Sequence, residues 1–133
     1  MISHPLFCLG VDGYSAALGG PLEAVAGHPV CFAGHVHYLT RHVAELGTLP
    51  LEEAVHKMTA MPARHFGLDR GELTPGAPAD VVMLDLDRLA DASTIERPLH
   101  YVEGVDWVLV NGTAVVEDGE HTGARPGRHL PRR

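Results

Sequence analysis

Asp12 is the leading candidate for chemistry because of its position in the sequence. It follows a short apolar run, residues 5–11, which is continuous rather than alternating and therefore predicts a strand over 5–12 that is buried on both faces. A carboxylate at the end of such a strand projects among loops, where it can take a proton from water and return it to a leaving group. Gly13 beside it is a candidate substrate contact. The alternative is a turn aspartate that caps its own backbone, because Asp-Gly is common in turns.

The histidines are the other residues that invite a functional interpretation. His35 and His37 form a His-x-His pair, but residues two apart on a helix point about 200° apart and cannot share one ion. We therefore expect no metal ligand in this chain. His28, in the loop before the predicted helix, and His35, near the start of that helix, are instead candidates for contact with a substrate. For His28 the alternative is a solvated loop residue.

Length and composition limit the classes of protein that the sequence fits. A chain of 133 residues with 45% hydrophobic residues is long enough for one core, whereas a complete (β/α)8 barrel needs about 250 residues. The net charge of −7 argues against a nucleic-acid partner. No apolar run approaches the roughly 20 residues that span a bilayer, and no secretory leader begins the sequence. We expect a cytoplasmic protein without a membrane partner.

Two helices are predicted in the first half of the chain. Residues 14–34 are rich in glycine and proline and are predicted to form a loop, and the apolar spacing then predicts a helix over 35–46 that ends at Gly47. A second helix is predicted over 51–61, until Pro62 interrupts it. Its predicted buried stripe consists of Leu51, Ala54, Val55 and Met58.

The pattern changes from helical to strand-like after Leu68, which predicts a domain boundary near residue 70, with one unit over 1–69 and another over 70–133. Asn111-Gly112 is the dipeptide of a type I′ turn and predicts a β-hairpin. The predicted sheet has three strands, at about 80–86, 105–110 and 114–118. A sheet of this size lacks a second layer and is expected to need further strands from elsewhere.

Several longer motifs support a family resemblance. Residues 71–85 combine a Pro-Gly bend, an Ala-Asp step and a strand, residues 51–59 end in Lys-Met-Thr, and residues 120–127 read Glu-His-Thr-Gly-Ala-Arg-Pro-Gly. Together with residues 10–13 and 28–29, these motifs resemble the metal-dependent amidohydrolase superfamily. Within it, they are most similar to the N-acyl-D-amino-acid deacylases, the D-aminoacylase group.

The resemblance implies a fold of class α/β plus β. Residues 1–69 would be the last strand and following helices of an amidohydrolase (β/α)8 barrel, and residues 70–133 the C-terminal strands of a small β-sandwich. It also implies zinc-dependent hydrolysis of the N-acyl amide of D-amino acids. Asp12 matches the family aspartate after the eighth barrel strand, a general acid/base beside the metal-activated water. The zinc ligands belong to earlier strands, so the chain alone is expected to be inactive without an N-terminal barrel segment.

Two departures from the family pattern concern the substrate. The usual Gly-Ser-Asp-Gly has Val11 in place of serine, and the usual His-Pro-Arg has Val30 in place of arginine, which removes a cation near where a substrate carboxylate would bind. Both leave the reaction type unchanged and the identity of the substrate undefined. Two alternatives stay open: another amidohydrolase branch of the dihydroorotase or hydantoinase type, and a truncated, non-catalytic interaction module.

Overall fold

The computed structural model of the protein describes residues 1–131 and consists of a helical layer followed by an antiparallel sheet. The helices are a 3-10 turn at Glu23–Val25, α1 at Val30–His37, a π-helical continuation at Tyr38–Glu45, α2 at Leu51–Met58 and α3 at Ala60–Phe66. The strands are β1 at Val81–Leu84, β2 at Val105–Val110, β3 at Thr113–Glu117 and β4 at Glu120–His121. No helix within residues 1–131 is long and apolar enough to cross a membrane.

The N-terminal segment departs from the prediction. The strand predicted over 5–12 does not form, since all four strands of the described chain lie between Val81 and His121. A parallel strand is held by hydrogen bonds to its neighbours, and residues 1–131 provide no such neighbour for this segment. It is attached to the helical layer instead, where the Leu9 N–H donates to the backbone carbonyl of Lys57 at 3.0 Å.

The first helix begins earlier than predicted. The loop predicted over 14–34 is wrong at its end, because α1 starts at Val30. The Val30 N–H donates to Nδ1 of His28 at 3.1 Å, which satisfies one of the donors that a helix start leaves open. As predicted, the helical run ends before Gly47, whose φ of 54° suits a glycine.

The second predicted helix is divided in two. The break lies at Thr59 (φ −128°, ψ −89°) rather than at Pro62, because a proline ring clashes with the carbonyl four residues earlier, here that of Met58. The predicted buried stripe is also wrong at one position. Val55 is 41% exposed, and Lys57 is buried.

The sheet has the order β1-β2-β3-β4 with antiparallel pairing throughout. The Asn111-Gly112 turn forms as predicted, with φ of 49° and 78°. The prediction missed β4, which pairs with β3 across Asp118-Gly119, with φ of 51° and 81°. Asp-Gly is a hairpin dipeptide like Asn-Gly, so the sequence did carry the signal for this strand.

A small core joins the two layers. Its buried residues are Tyr38, Leu39, Leu49 and Ala54, against which Leu9 of the N-terminal segment and Leu84 of β1 pack.

A polar cluster of Arg70, Asp80 and Asn111 forms a second link between the two layers. Arg70 Nε contacts Asp80 Oδ2 at 2.7 Å, and Asp80 Oδ1 accepts the Asn111 N–H at 2.7 Å. Residue 70, where the domain boundary is predicted, thus contacts Asp80, which in turn binds the β2–β3 turn. The division into two domains stays a prediction.

Candidate active site

Asp12 is exposed on the wall of an open cleft of about 450 Å³, called here the Asp12 cleft. Its carboxylate makes no hydrogen bond or ion pair with any other residue in 1–131. Unlike an aspartate that caps a turn, Asp12 therefore holds no backbone N–H group of the described residues. The other residues that line the cleft are Tyr14, Val25, Gly27, His28, Val30 and Cys31.

The backbone on both sides of Asp12 is packed tightly against α1. A Cβ placed on Gly34 would lie 2.7 Å from Cγ1 of Val11, closer than real Cβ atoms approach other atoms, so Val11 fits only because position 34 is glycine. A Cβ placed on Gly13 would lie 3.0 Å from the Cα of Cys31. Asp12 thus lies between two close contacts, and its position depends on the first turns of α1.

His28 and Val30 link the start of α1 to the Asp12 cleft, which both residues line. Because Nδ1 of His28 accepts the Val30 N–H, the neutral ring carries its proton on Nε2. The structure therefore brings together two of the residues predicted from the sequence, Asp12 and His28, whereas Gly13 follows Asp12 in the chain but is not among the described residues that line the cleft. Tyr14, Val25 and Cys31 were not predicted as site residues, and no local sequence pattern singles them out.

His35, the remaining candidate, is not among the described residues that line the Asp12 cleft. It lies on the exposed surface of α1, yet its ring is shielded enough from water that desolvation lowers its pKa below the usual 6.5. The neutral form is therefore favoured. Its role as a substrate contact stays a prediction.

A pair that sequence reasoning missed lies nearby. His37 Nδ1 is 2.5 Å from Oδ2 of Asp91, in the irregular segment between β1 and β2. The two residues line a second cleft of about 470 Å³, which His28 and Val30 also border. Since the two members are 54 residues apart in the sequence, no local pattern could have indicated the pair.

The described residues do not provide a metal centre. Within 1–131 no group of three or more His, Cys, Asp or Glu side chains is arranged to hold a metal ion. A catalytic zinc ion needs three protein ligands, and the Asp12 cleft offers Asp12, His28 and Cys31 without such an arrangement. A zinc ion near this cleft would therefore need ligands from outside the described residues.

Comparison with known proteins identifies the family. A profile described as the amidohydrolase family matches residues 25–116, which is more than half of the 133 residues. The chain belongs to the amidohydrolase family. The match covers the start of α1, which packs against Val11 and Gly13, and extends through β1 and β2 into β3; Asp12 itself lies before the matched residues.

Two curated relatives of this amidohydrolase chain come from Alcaligenes xylosoxydans xylosoxydans. An N-acyl-D-glutamate deacylase is 47% identical over 106 residues, covering 79% of this chain and 22% of the relative. An N-acyl-D-aspartate deacylase is 39% identical over 132 residues, covering 98% of this chain and 25% of the relative. The chain thus spans a quarter or less of the length of these relatives.

A solved structure is similar to this amidohydrolase chain in both sequence and fold. It is the N-acyl-D-glutamate deacylase of Bordetella bronchiseptica in complex with zinc and a phosphonate inhibitor that mimics the tetrahedral intermediate. The TM-score is 0.65 at 43% identity, over 71% of this chain and 21% of the solved chain. The resemblance to the D-aminoacylase group indicated by the motifs is confirmed by these matches.

Proposed function

We propose that this chain is the C-terminal segment of a zinc-dependent amidohydrolase that hydrolyses the N-acyl amide bond of D-amino acids. In this proposal residues 1–69 complete a (β/α)8 barrel, and residues 70–133 contribute the last strands of a β-sandwich. The names of the two curated relatives support the substrate class. The zinc ligands would belong to the preceding barrel segment, and the zinc ion would supply Lewis-acid activation of water and of the amide carbonyl.

The observation that carries the proposal is the state of Asp12. Its backbone is held by the contacts of Val11 with Gly34 and of Gly13 with Cys31, whereas its exposed carboxylate has no partner among the described residues. Other exposed carboxylates of the described residues, such as that of Asp118, also lack a side-chain partner, but Asp12 is the acidic residue that lines the cleft together with His28. A carboxylate whose backbone is held beside a cleft and whose oxygens are open to a proton is suited to acid/base chemistry.

Asp12 would move the proton in the reaction. As the carboxylate it accepts a proton from the attacking water, and as the acid it returns that proton to the leaving nitrogen, so that the free amine of the D-amino acid departs. His28 would contact the substrate through Nε2–H, since Nδ1 is used by Val30. Gly13 offers backbone groups beside Asp12. A contact from His35 would require a substrate that extends past the Asp12 cleft along α1.

A chimera tests the proposal because it supplies the segment that precedes this chain. The Alcaligenes N-acyl-D-glutamate deacylase is 47% identical to this chain over the shared region. In the chimera, the part of that deacylase that precedes the shared region is joined to residues 1–133. We expect zinc-dependent hydrolysis of N-acyl-D-amino acids. Asp12→Asn should lower kcat by about 10²–10⁴-fold, the usual contribution of a proton-transfer group. The isolated chain serves as the inactive reference.

The matched control is Asp118→Asn, because Asp118 has a φ of 51° that asparagine adopts readily and lies in the β3–β4 turn. It should leave kcat unchanged. Zinc content, measured by elemental analysis, should be the same in the unaltered chimera, the Asp12→Asn chimera and the Asp118→Asn chimera. Near-normal turnover of a zinc-loaded Asp12→Asn chimera would refute the catalytic role. A folded, zinc-loaded chimera without any turnover would favour the non-catalytic interaction module.

A further inference from the structure

Lys57 is buried where a charged residue is unusual. Its exposed fraction is 1%, and it is the largest fully buried side chain in the described part of the chain. Burying an ammonium group is costly unless hydrogen bonds and charge partners replace water. Lys57 lies near the end of α2, at the start of the Lys-Met-Thr motif, and it is buried on the same face as Ala54. The contacts of its ammonium group explain how the charge is accommodated there.

Those contacts connect α2 to the segment that leads to Asp12. The Lys57 ammonium donates to the backbone carbonyl of His4 at 2.7 Å and to that of Phe7 at 2.8 Å. It also lies 3.4 Å from Oε1 of Glu53, one turn earlier on α2. An ammonium group has three N–H donors, and these three acceptors are enough to satisfy them.

The backbone of Lys57 adds a third hydrogen bond to the same segment, because its carbonyl accepts the Leu9 N–H at 3.0 Å. One residue therefore makes bonds to positions 4, 7 and 9, which lie about 50 residues away in the sequence. Within residues 1–131 these bonds take the place of the strand pairing that the segment lacks. Such carbonyl groups need a partner when they are removed from water.

Asp12 lies three residues after Leu9. Upstream of Asp12, Lys57 and the packing of Leu9 against the core hold the backbone. At Asp12 itself, the contacts of Val11 with Gly34 and of Gly13 with Cys31 hold it against α1. Loss of the upstream bonds would leave the segment attached through α1 alone, and the carboxylate would sample a wider range of positions in the Asp12 cleft.

We propose that Lys57 is a positioning residue: its bonds to His4, Phe7 and Leu9 fix the segment that carries Asp12 and thereby fix the carboxylate in its cleft. The anchoring stands independently of any activity. The consequence for catalysis rests on the proposed function. A residue of similar size and shape without charge, such as methionine, would fill the same space but could not donate to the two carbonyls.

Amide hydrogen exchange in the 133-residue chain tests the anchoring. Lys57→Met should speed the exchange of the Leu9 amide about tenfold or more, because the segment then opens locally. The amides of β2 and β3, which make no hydrogen bond with Lys57, should keep their protection and report that the chain is folded. Lys57→Arg retains a cation with several donors and should restore much of the Leu9 protection. Unchanged Leu9 exchange in a folded Lys57→Met chain would overturn the proposal.

If Lys57→Met lost protection in the sheet as well, Lys57→Gln would be the deciding variant, since its amide nitrogen lies one bond closer to the backbone than Nζ and cannot keep both short bonds to His4 and Phe7. Faster Leu9 exchange with a protected sheet would support the anchoring, and exchange equal to that of the unaltered chain would overturn it. Steady-state kinetics of the chimera then tests the link to Asp12. Lys57→Met should lower kcat by about 10²-fold, which is the effect of a misplacement of about 1 Å.

KM should change little in that variant, and Lys57→Arg should recover part of kcat. A Lys57→Met chimera with normal kcat but fast Leu9 exchange would show that Lys57 anchors the segment without positioning Asp12, which contradicts the proposal. A chimera without turnover even when Lys57 is intact would count against the proposed function, whereas the exchange results would still decide the anchoring. The two failures are therefore distinguishable.

Discussion

Gly34→Ala is the sharpest test of how Asp12 is held. In the interior of a helix this exchange usually stabilises a protein by about 1 kcal/mol, since alanine restricts the unfolded chain more and favours the helix. Here the added Cβ would lie 2.7 Å from Cγ1 of Val11 and 3.0 Å from Cγ2 of Val30. Both atoms are branches close to the backbone, so neither can withdraw without a change of rotamer or a shift of the segment.

The expected magnitude follows from these opposing effects. Overpacking of this kind costs about 1–3 kcal/mol, which cancels or exceeds the gain in helix propensity. Gly34→Ala alone should therefore lower the free energy of unfolding by up to about 2 kcal/mol. In a Val11→Ala background both Val11 methyl groups are gone and the 3.0 Å approach to Cγ2 of Val30 remains, so the same exchange should become clearly less destabilising or neutral. The interaction energy between the two positions should be about 1–3 kcal/mol.

Urea unfolding of the four chains, followed by far-UV circular dichroism, measures that energy. The double-mutant cycle removes the separate effect of Val11→Ala from the result. Additive changes, within about 0.5 kcal/mol, would refute the packing of Val11 against Gly34. Asp12 would then lack one of the two contacts that hold it against α1.

Two further predictions concern stability. Desolvation lowers the pKa of His35 in the folded chain below its unfolded value of 6.5. The unfolded chain therefore binds the proton more readily than the folded chain. The contribution of neutral His35 to the free energy of unfolding is fully present above pH 6.5 and decreases as the pH falls below that value. His35→Gln should reduce the loss of Tm between about pH 7.5 and about pH 5.5, and an unchanged loss would assign the acid sensitivity to other groups. Asp80→Ala should cost about 1–3 kcal/mol in urea unfolding, because it removes the Asp80 partner of Arg70 and the acceptor of the Asn111 N–H. Asp80→Asn keeps an acceptor and should cost less; equal costs would contradict a role for the hydrogen bond to Asn111.

Local features of the fold could be predicted from the sequence because their causes are local. The Asn111-Gly112 turn and the end of the helical run before Gly47 follow from which residues tolerate positive φ. The position of β2 follows from a run of β-branched and apolar residues beside that turn. Two errors came from signals that were present but not used: the Asp118-Gly119 dipeptide before β4, and the effect of Pro62 on the preceding turn.

The resemblance to the amidohydrolases was likewise contained in the sequence, because its motifs are runs of adjacent residues. Asp12 and His28 could be selected as candidates because a carboxylate after an apolar run and a histidine in a glycine-rich loop are visible in the sequence alone. That both residues line one cleft is a property of the folded chain. The sequence could not show it, because the start of α1 has to pack against residues 11–13 first.

Tertiary structure alone decided how the N-terminal segment is held. An apolar run over 5–12 predicts a strand whenever neighbouring strands are present to pair with it, and residues 1–131 offer none. Lys57 and the His37–Asp91 pair depend on partners about 50 residues away, and periodicity within a helix gives no information on them. Side-chain type sets which bonds a residue can make. Only the packing of distant segments determines which partner is within reach, and thus that Lys57 is buried while Asp12 stays open to the cleft.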